Sequence, residues 1–468
     1  MLAMYTESLK SVGALAPAAP KVFASAERVM PSTIEPKMRL LMIANELVTF
    51  AGHLRKNIAW QGASIPVNSI GLLIGESGRG KGLALSSIQN ILKPAFKLIE
   101  ESRAVTAKRL AVIAAEEAGK PETKWRDFYS KPRDLIVAIS TLPGWVKHLN
   151  GLEAGTLGSG TLYVDELSSE LASSKDLMEL LTSLSILYDT GHLPVKALKS
   201  DENQGKTVNN LPVSALLFGS PHGMLFDEKV KKKFLDEASS KLARRVICVF
   251  STDKPSPPKF NSIQESRDFD KKERERINQA AAQLSPWFTA LVTNTTNVDL
   301  TVDDEVQDIF SDYRNYNDIL ASAISLQHPL AKIHRQHRQW AALKISGALA
   351  ILEGFTNITS DHFIQAINFT EMFVDDLSNF ETELNKESYE LASDYLRSIS
   401  ENGMASLSTH KLRKLGFIKG PGNPKAKLID LVDLIRSYDS INTYQVGEGH
   451  IHFFEEAIAD SEDYGELE

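Results

Sequence analysis

Apolar residues at Met38, Leu41, Met42, Ala44, Leu47, Phe50 and Leu54 fall on one face of a 3.6-residue period and predict a helix across 36–60. Beyond it, short apolar runs alternate with helical stretches. Strands are predicted at 69–74, 134–140, 161–164, 213–219 and 245–250. Five apolar strands separated by helices imply an α/β fold whose parallel sheet is covered on both faces. Pro255, Pro257 and Pro258 mark a linker within 251–260. The pattern over 264–385 is almost entirely helical. One apolar helix, 340–352, stops at Glu353-Gly354, and Thr359-Ser360-Asp361-His362 opens the next with capping residues.

The last third has its own pattern. Helices are predicted at 388–400, at 406–415 (closed by Gly416) and at 425–438, after Pro421-Gly422-Asn423-Pro424. A hairpin, 441–446 with 450–454, turns at Gly447-Glu448-Gly449. Three helices and a hairpin are the layout of a winged helix. The expected organisation is a flexible leader (1–33), a helical prelude and α/β core (34–260), a helical lid (261–385), a winged-helix domain (386–455) and an acidic tail (456–468).

Composition narrows the classes. At 468 residues the chain has room for two or three domains, and 43% hydrophobic with 24% charged residues is ordinary for a soluble protein. No apolar run is long enough to span a membrane, and the N-terminus lacks the pattern of a secretion signal. Cys248, the only cysteine, lies in an apolar run and reads as a core residue. An intrachain disulfide is impossible, which fits a reducing compartment such as the cytoplasm, a bacterial host's if the gene is phage-borne. A formal charge of −8 argues against non-specific coating of nucleic acid and leaves the question to local basic patches. The segment 455–468 has no Lys or Arg. It is either a solvated end or a dock for a basic partner, such as another replication protein.

Candidate chemistry centres on Gly75-Glu76-Ser77-Gly78-Arg79-Gly80-Lys81-Gly82, between a predicted strand and a predicted helix. In a P-loop, G-x-x-x-x-G-K-[ST], glycines let backbone N–H groups converge on phosphate and the lysine reaches the outer phosphates. ATP with Mg2+ is the expected ligand. Gly82 departs from the pattern, because a Ser or Thr hydroxyl there ordinarily ligates magnesium. Either water replaces that ligand or hydrolysis is weak. Thr161-Leu162-Tyr163-Val164-Asp165-Glu166 is an apolar strand ending in two acids, the Walker B arrangement. It makes Asp165 the metal residue and Glu166 the group that polarises water. Ser220 follows the next strand, as a γ-phosphate sensor or as a turn cap. Arg244 and Arg245 precede the fifth strand. One is a candidate arginine finger for a neighbouring subunit, and a surface ion pair is the alternative.

These residues, with Leu242-Ala243-Arg244 and a lid bearing Arg338, Lys344 and Ile358-Thr359-Ser360-Asp361-His362, resemble an AAA+ ATPase of the helicase kind used in phage and plasmid replication. The relatives in view are superfamily-three viral helicases, minichromosome-maintenance helicases and the helicase-like domains joined to phage primase-polymerases. The resemblance spans roughly residues 36–380 and is one of pattern. It implies a homo-oligomeric ring, usually a hexamer, with nucleotide between subunits, and makes Arg338 a lid residue touching nucleotide. It also implies that the insert between Tyr188 and Pro212 is a pore hairpin holding DNA through Lys196, Lys199 and Lys206; a solvated loop is the alternative. His334 and His337 read as surface residues beside Arg338. In the winged helix, Lys411, Arg413, Lys425 and Lys427 are the candidate DNA contacts, although Asp430 and Asp433 on the same third helix also suit protein docking. The expected function is a ring-forming, ATP-dependent DNA helicase or translocase. The alternative is an ATP-switched initiator or loader with little unwinding.

Overall fold

A computed structural model describes all residues except 77, 79, 130–133, 138–140, 154, 175, 195–206, 252–257, 419, 421 and 457–468. Two compact units divide the chain: Met1–Pro221 with Lys233–Asn379, and His222–Lys232 with Phe380–Glu468.

The first unit begins with a departure from expectation. The supposed flexible leader contains α1 (Leu2–Ser11) and α2 (Lys21–Glu27). Phe23, Ala26, Val29 and Met30 are fully buried, and Phe23 meets Phe369 edge-on at 5.1 Å. Phe369 lies more than 300 residues from Phe23, so the local sequence does not announce this contact. Helix α3 (Pro36–His53) is buried on almost every side, as a central helix must be. It stops at His53, short of the expected 60. The chain then forms a hairpin, β1 (Asn57–Trp60) with β2 (Ala63–Pro66), around Gln61 and Gly62. Both turn residues have positive φ, 48° and 82°, as a tight two-residue hairpin turn demands.

The sheet follows: β3 (Ile70–Gly75), α4 (Lys81–Glu117), β4 (Ile136–Val137), α5 (Leu142–Glu153), β5 (Gly160–Val164), α6 (Leu167–Ser173), α7 (Leu177–Thr190), β6 (Val213–Gly219), α8 (Pro221–Phe226), α9 (Glu228–Glu237) and β7 (Val246–Ser251). All five strands are parallel, in the order β4-β5-β6-β3-β7. Each matches a strand expected from the sequence, within a few residues. Cys248 is buried in β7, as expected. The chain leaves β3, runs to the β4 edge, returns strand by strand to β6 and then skips β3 to reach β7. Connections therefore diverge between β3 and β6, and such a divergence opens a crevice at the carboxyl ends of the strands.

The expected helical stretch comprises α10 (Ile263–Thr293), α11 (Asp304–Ala323), α12 (Pro329–Gln336), α13 (Arg338–Leu352), α14 (Ser360–Glu371) and α15 (Asp376–Asn385). A short parallel pair, β8 (Thr301–Val302) with β9 (Asn357–Ile358), interrupts it. Gly354, at φ 82°, follows α13, and Thr359 caps α14 through a reciprocal bond with His362. Up to Asn379 these helices belong to the same compact unit as the sheet and not to a separate lid.

The second unit takes α8 beyond Pro221 and α9 as far as Lys232, then the end of α15 from Phe380, and holds α16 (Ser388–Ser398), β10 (Met404–Ser408), α17 (Thr409–Lys414), α18 (Pro424–Tyr438), β11 (Thr443–Gly447) and β12 (His450–Phe454). Its antiparallel sheet has the order β10-β12-β11. Leu396, Leu412, Leu428, Ile435, Tyr444, Ile451 and Phe453 form its core. The helix expected at 406–415 is half strand. Ser406, Leu407 and Ser408 pair with β12, and Ser408 Oγ then accepts from Lys411 N at 3.2 Å to start α17. A five-residue strand bounded by a cap is too short for its alternation to stand out.

Candidate functional site

The glycine-rich loop runs from the end of β3 to the first residue of α4. Gly78 and Gly80 have φ of 81° and 77°, a left-handed region where a side chain is strained. Gly80 is the N-cap of α4, so the unbonded N–H groups of a long helix face the loop. A Cβ at Gly80 would lie 3.2 Å from Ile34, and one at Gly75 would lie 3.7 Å from Met38. The start of α3 thus lines the loop. Lys81 Nζ donates to Gly75 O at 3.0 Å and to Gly219 O at 3.4 Å, bridging the carboxyl ends of β3 and β6. That is the mouth of the crevice. Glu76 is half-buried, and Ser77 and Arg79 lie outside the described residues. A Cβ at Gly82 would meet nothing within 4 Å, so glycine there is not enforced by packing.

The two acids at the end of β5 reach the same mouth, because β5 neighbours β6. Asp165 is exposed. Glu166 Oε1 accepts from Ser168 Oγ at 2.5 Å and from Ser220 N and Oγ, both at 3.3 Å. The structure therefore brings together Lys81, Glu166 and Ser220 as the sequence suggested. Among the described residues, no cluster of three His, Cys, Asp or Glu side chains is arranged to hold a metal. A metal ion that arrives on a ligand needs fewer protein groups, and the exposed Asp165 at the end of β5 is the carboxylate that could hold one.

Two groups near this mouth were missed. Asp376 accepts from Lys37 Nζ at 2.8 Å and from Phe250 N at 3.1 Å, joining α15, α3 and the end of β7. Behind β5, Glu46 accepts from Tyr163 Oη, which in turn accepts from Gln89 Nε2 at 2.9 Å. A lone acid in the apolar run Leu40 to Leu47 was the available signal. Burial pushes the Glu46 carboxyl up to about 7, against the smaller opposing effects of Tyr163 and Gln89. A raised folded value means stability that is complete below the ordinary value of 4.5 and lost as pH rises through about 7. The loss is on the order of 3 kcal/mol. Glu46→Gln is expected to flatten this slope in melting temperature between pH 5 and 8; an unchanged slope would refute the assignment.

The arginines sit elsewhere. Val246 pairs with Ile70 and Ser251 with Gly75, so the start of β7 is five residues, roughly 17 Å, from the phosphate loop. Arg245 is only 4% exposed and gives Nε to Asp189 Oδ1 at 2.8 Å and Nη2 to Oδ2. Arg245, buried and committed to both oxygens of the exposed Asp189, is removed as a finger. Arg244 is 37% exposed and touches Asp189 Oδ2 at 3.4 Å, so of the two it alone keeps that candidacy. Arg338 is displaced from its expected role. Its Nε lies 3.2 Å from Glu371 Oε1, and its Nη2 donates to Thr370 O. Arg335 joins the same carboxylate at 3.2 Å, and Tyr313 Oη donates to it at 2.6 Å. His334 is no surface residue; it is buried, with a ring nitrogen 3.2 Å from Val246 O. These residues gather near Val246 at the amino end of β7, remote from the glycine-rich loop of their own chain. Lys344 is also buried, donating to Pro66 O, Asn68 Oδ1 and Tyr188 O at 2.7–2.8 Å. Burial pushes its ammonium down to about 7.

Lys196, Lys199 and Lys206 lie outside the described residues. The foot of their insert is closed by an antiparallel bridge, Leu193 with Val208. In the second unit, Lys411, Arg413 and Lys425 are exposed. Lys427 Nζ instead donates to Gly420 O at 2.8 Å and shapes the turn before α18. The outer face of α18 carries Ile429, Asp430, Asp433 and Leu434, a mixture poorly suited to phosphate. No helix among the described residues is long and apolar enough to cross a membrane. No protein-family model matches the chain, and no curated protein matches its sequence.

Proposed function

We propose that this chain is an AAA+ P-loop ATPase that assembles into a ring and moves or separates DNA strands during replication of a phage or mobile element. The observation that carries the reading is the convergence of Lys81, Glu166 and Ser220 at the carboxyl ends of β3, β5 and β6, beside the uncapped start of α4. Cation, helix terminus and glycine backbone suit a triphosphate. Bound magnesium would neutralise charge on the outer phosphates, with Asp165 as its protein anchor. Glu166 accepts from Ser220, so a change at one strand end is transmitted to the other. Arg244, remote from its own loop, suits donation to the nucleotide of a second copy. The helix–strand–helix–helix–hairpin order of the second unit supports the winged-helix reading. Lys411, Arg413 and Lys425 are its candidate DNA contacts. Gel filtration with and without ATP, followed by a forked-DNA unwinding assay, tests the function. Ring assembly without strand separation would sink the helicase reading.

Two observations favour a second reading, an ATP-switched initiator or loader. Gly82 lacks the magnesium hydroxyl, and the outer face of α18 is acidic and apolar. Because a side chain at Gly82 meets open space, Gly82→Ser is expected to lower the magnesium concentration giving half-maximal ATPase rate. The fall should be roughly 2- to 10-fold, the worth of about 0.5–1.5 kcal/mol for one added polar contact. A raised magnesium requirement would count against a metal at this position.

A further inference from the structure

Asp189 closes helix α7, and three cations converge on it and on the residue before it. Lys344 Nζ donates to Tyr188 O at 2.8 Å. Arg245, buried, holds both carboxylate oxygens of Asp189. Arg244 takes only Oδ2, at 3.4 Å through Nη2, and is far more exposed. Gly191, at φ 65°, ends the helix two residues later, and its carbonyl accepts from Leu211 N at 3.0 Å. The carboxylate is thus fixed from one side and loaded from the other. One negative charge between two guanidinium groups leaves a net positive charge on the cluster. Arg244 has five N–H donors and commits one nitrogen.

We propose that Asp189 is a positioning residue that orients Arg244 toward the outer phosphates of a nucleotide held by a second copy of this chain. The proposal rests on the reading of Arg244 as a group acting between subunits. Arg245 is the buried anchor, Asp189 the fixed bracket and Arg244 the arm it directs. A guanidinium tethered through one nitrogen, as Arg244 is to Asp189 Oδ2, loses less rotamer freedom on meeting an anion, and an error of about 1 Å in such placement costs roughly 100-fold in rate.

The test compares steady-state ATP hydrolysis by the full chain with forked DNA. The chains are wild type, Arg244→Ala, Asp189→Asn and the double variant Asp189→Asn with Arg245→Met. The double variant avoids an unpaired buried arginine, so it stays informative if Asp189→Asn alone fails to fold. Both Asp189 variants are expected to lose roughly 10- to 100-fold in kcat with KM unchanged. Mixing either with Lys81→Ala chains is expected to restore turnover, because an intact Arg244 then meets an intact phosphate loop. A purely structural defect would lower the melting temperature and would not be rescued by mixing. Unchanged kcat in a folded Asp189 variant, with Arg244→Ala inactive, overturns the proposal and leaves the function standing. Wild-type activity in Arg244→Ala overturns the proposal together with the reading of Arg244 as an inter-subunit group, and no hydrolysis by the wild type at any concentration overturns the proposed function as well.

Discussion

Lys81→Ala is expected to lower ATP hydrolysis by roughly 100- to 1,000-fold, the usual result of deleting one preorganised group at a site of developing charge. Lys81 is the first residue of α4, half-buried, with its ammonium placed between Gly75 O and Gly219 O. These two carbonyl oxygens hold the cation at the carboxyl ends of β3 and β6, where the glycine-rich loop meets α4. The unfolding midpoint should move little, because Lys81 is half-buried and sits at the first turn of α4. Nucleotide affinity by calorimetry and unwinding of forked DNA should fall together with hydrolysis. An unchanged unwinding rate would refute this assignment.

The largest loss of stability is expected from Glu371→Gln. The side chains of Arg335 and Arg338 are almost fully buried and share this carboxylate, with Tyr313 Oη as a further donor. Removing the charge leaves two buried cations unpaired, a defect worth about 3–5 kcal/mol. Urea denaturation at pH 7 reads it directly. Burial pushes the Glu371 carboxyl up, but Arg338 and Arg335 pull it down further, and the net value lies below the ordinary 4.5. A depressed value means that the stabilisation is present above that pH and lost as pH falls through the folded value. The gap between wild type and variant should therefore narrow only in acid. Arg338→Ala should likewise cost stability and leave nucleotide affinity intact; a selective loss of affinity would return Arg338 to the nucleotide site.

The same contrast explains what was legible in the sequence. The phosphate loop, the acids ending β5 and the five strands are local features, each written in adjacent residues, and the sheet places Lys81, Glu166 and Ser220 together. The cap at Thr359 was legible for the same reason. Arg338 was misread because its partner, Glu371, is 33 residues away and His334, Arg335 and His337 crowd the approach to α13. The burial of Phe23 against Phe369 and the pairing of β10 with β12 also depend on distant chain. The hairpin at Gln61-Gly62 was the avoidable error. Its turn carries a glycine between two four-residue strands, and the apolar period of α3 runs up close to it.

Helix α4 gives the phosphate loop a long reach. Its 37 residues, at about 1.5 Å each, extend roughly 55 Å from Gly80, less whatever Pro94 takes up as a bend. The end that would meet phosphate is therefore the short arm of a lever. A tilt of about 5° at the loop would sweep the far end, near Glu117, through roughly 5 Å, about one helical turn. A small rearrangement at the scale of a single hydrogen bond would become a displacement large enough to remake contacts at a distant surface.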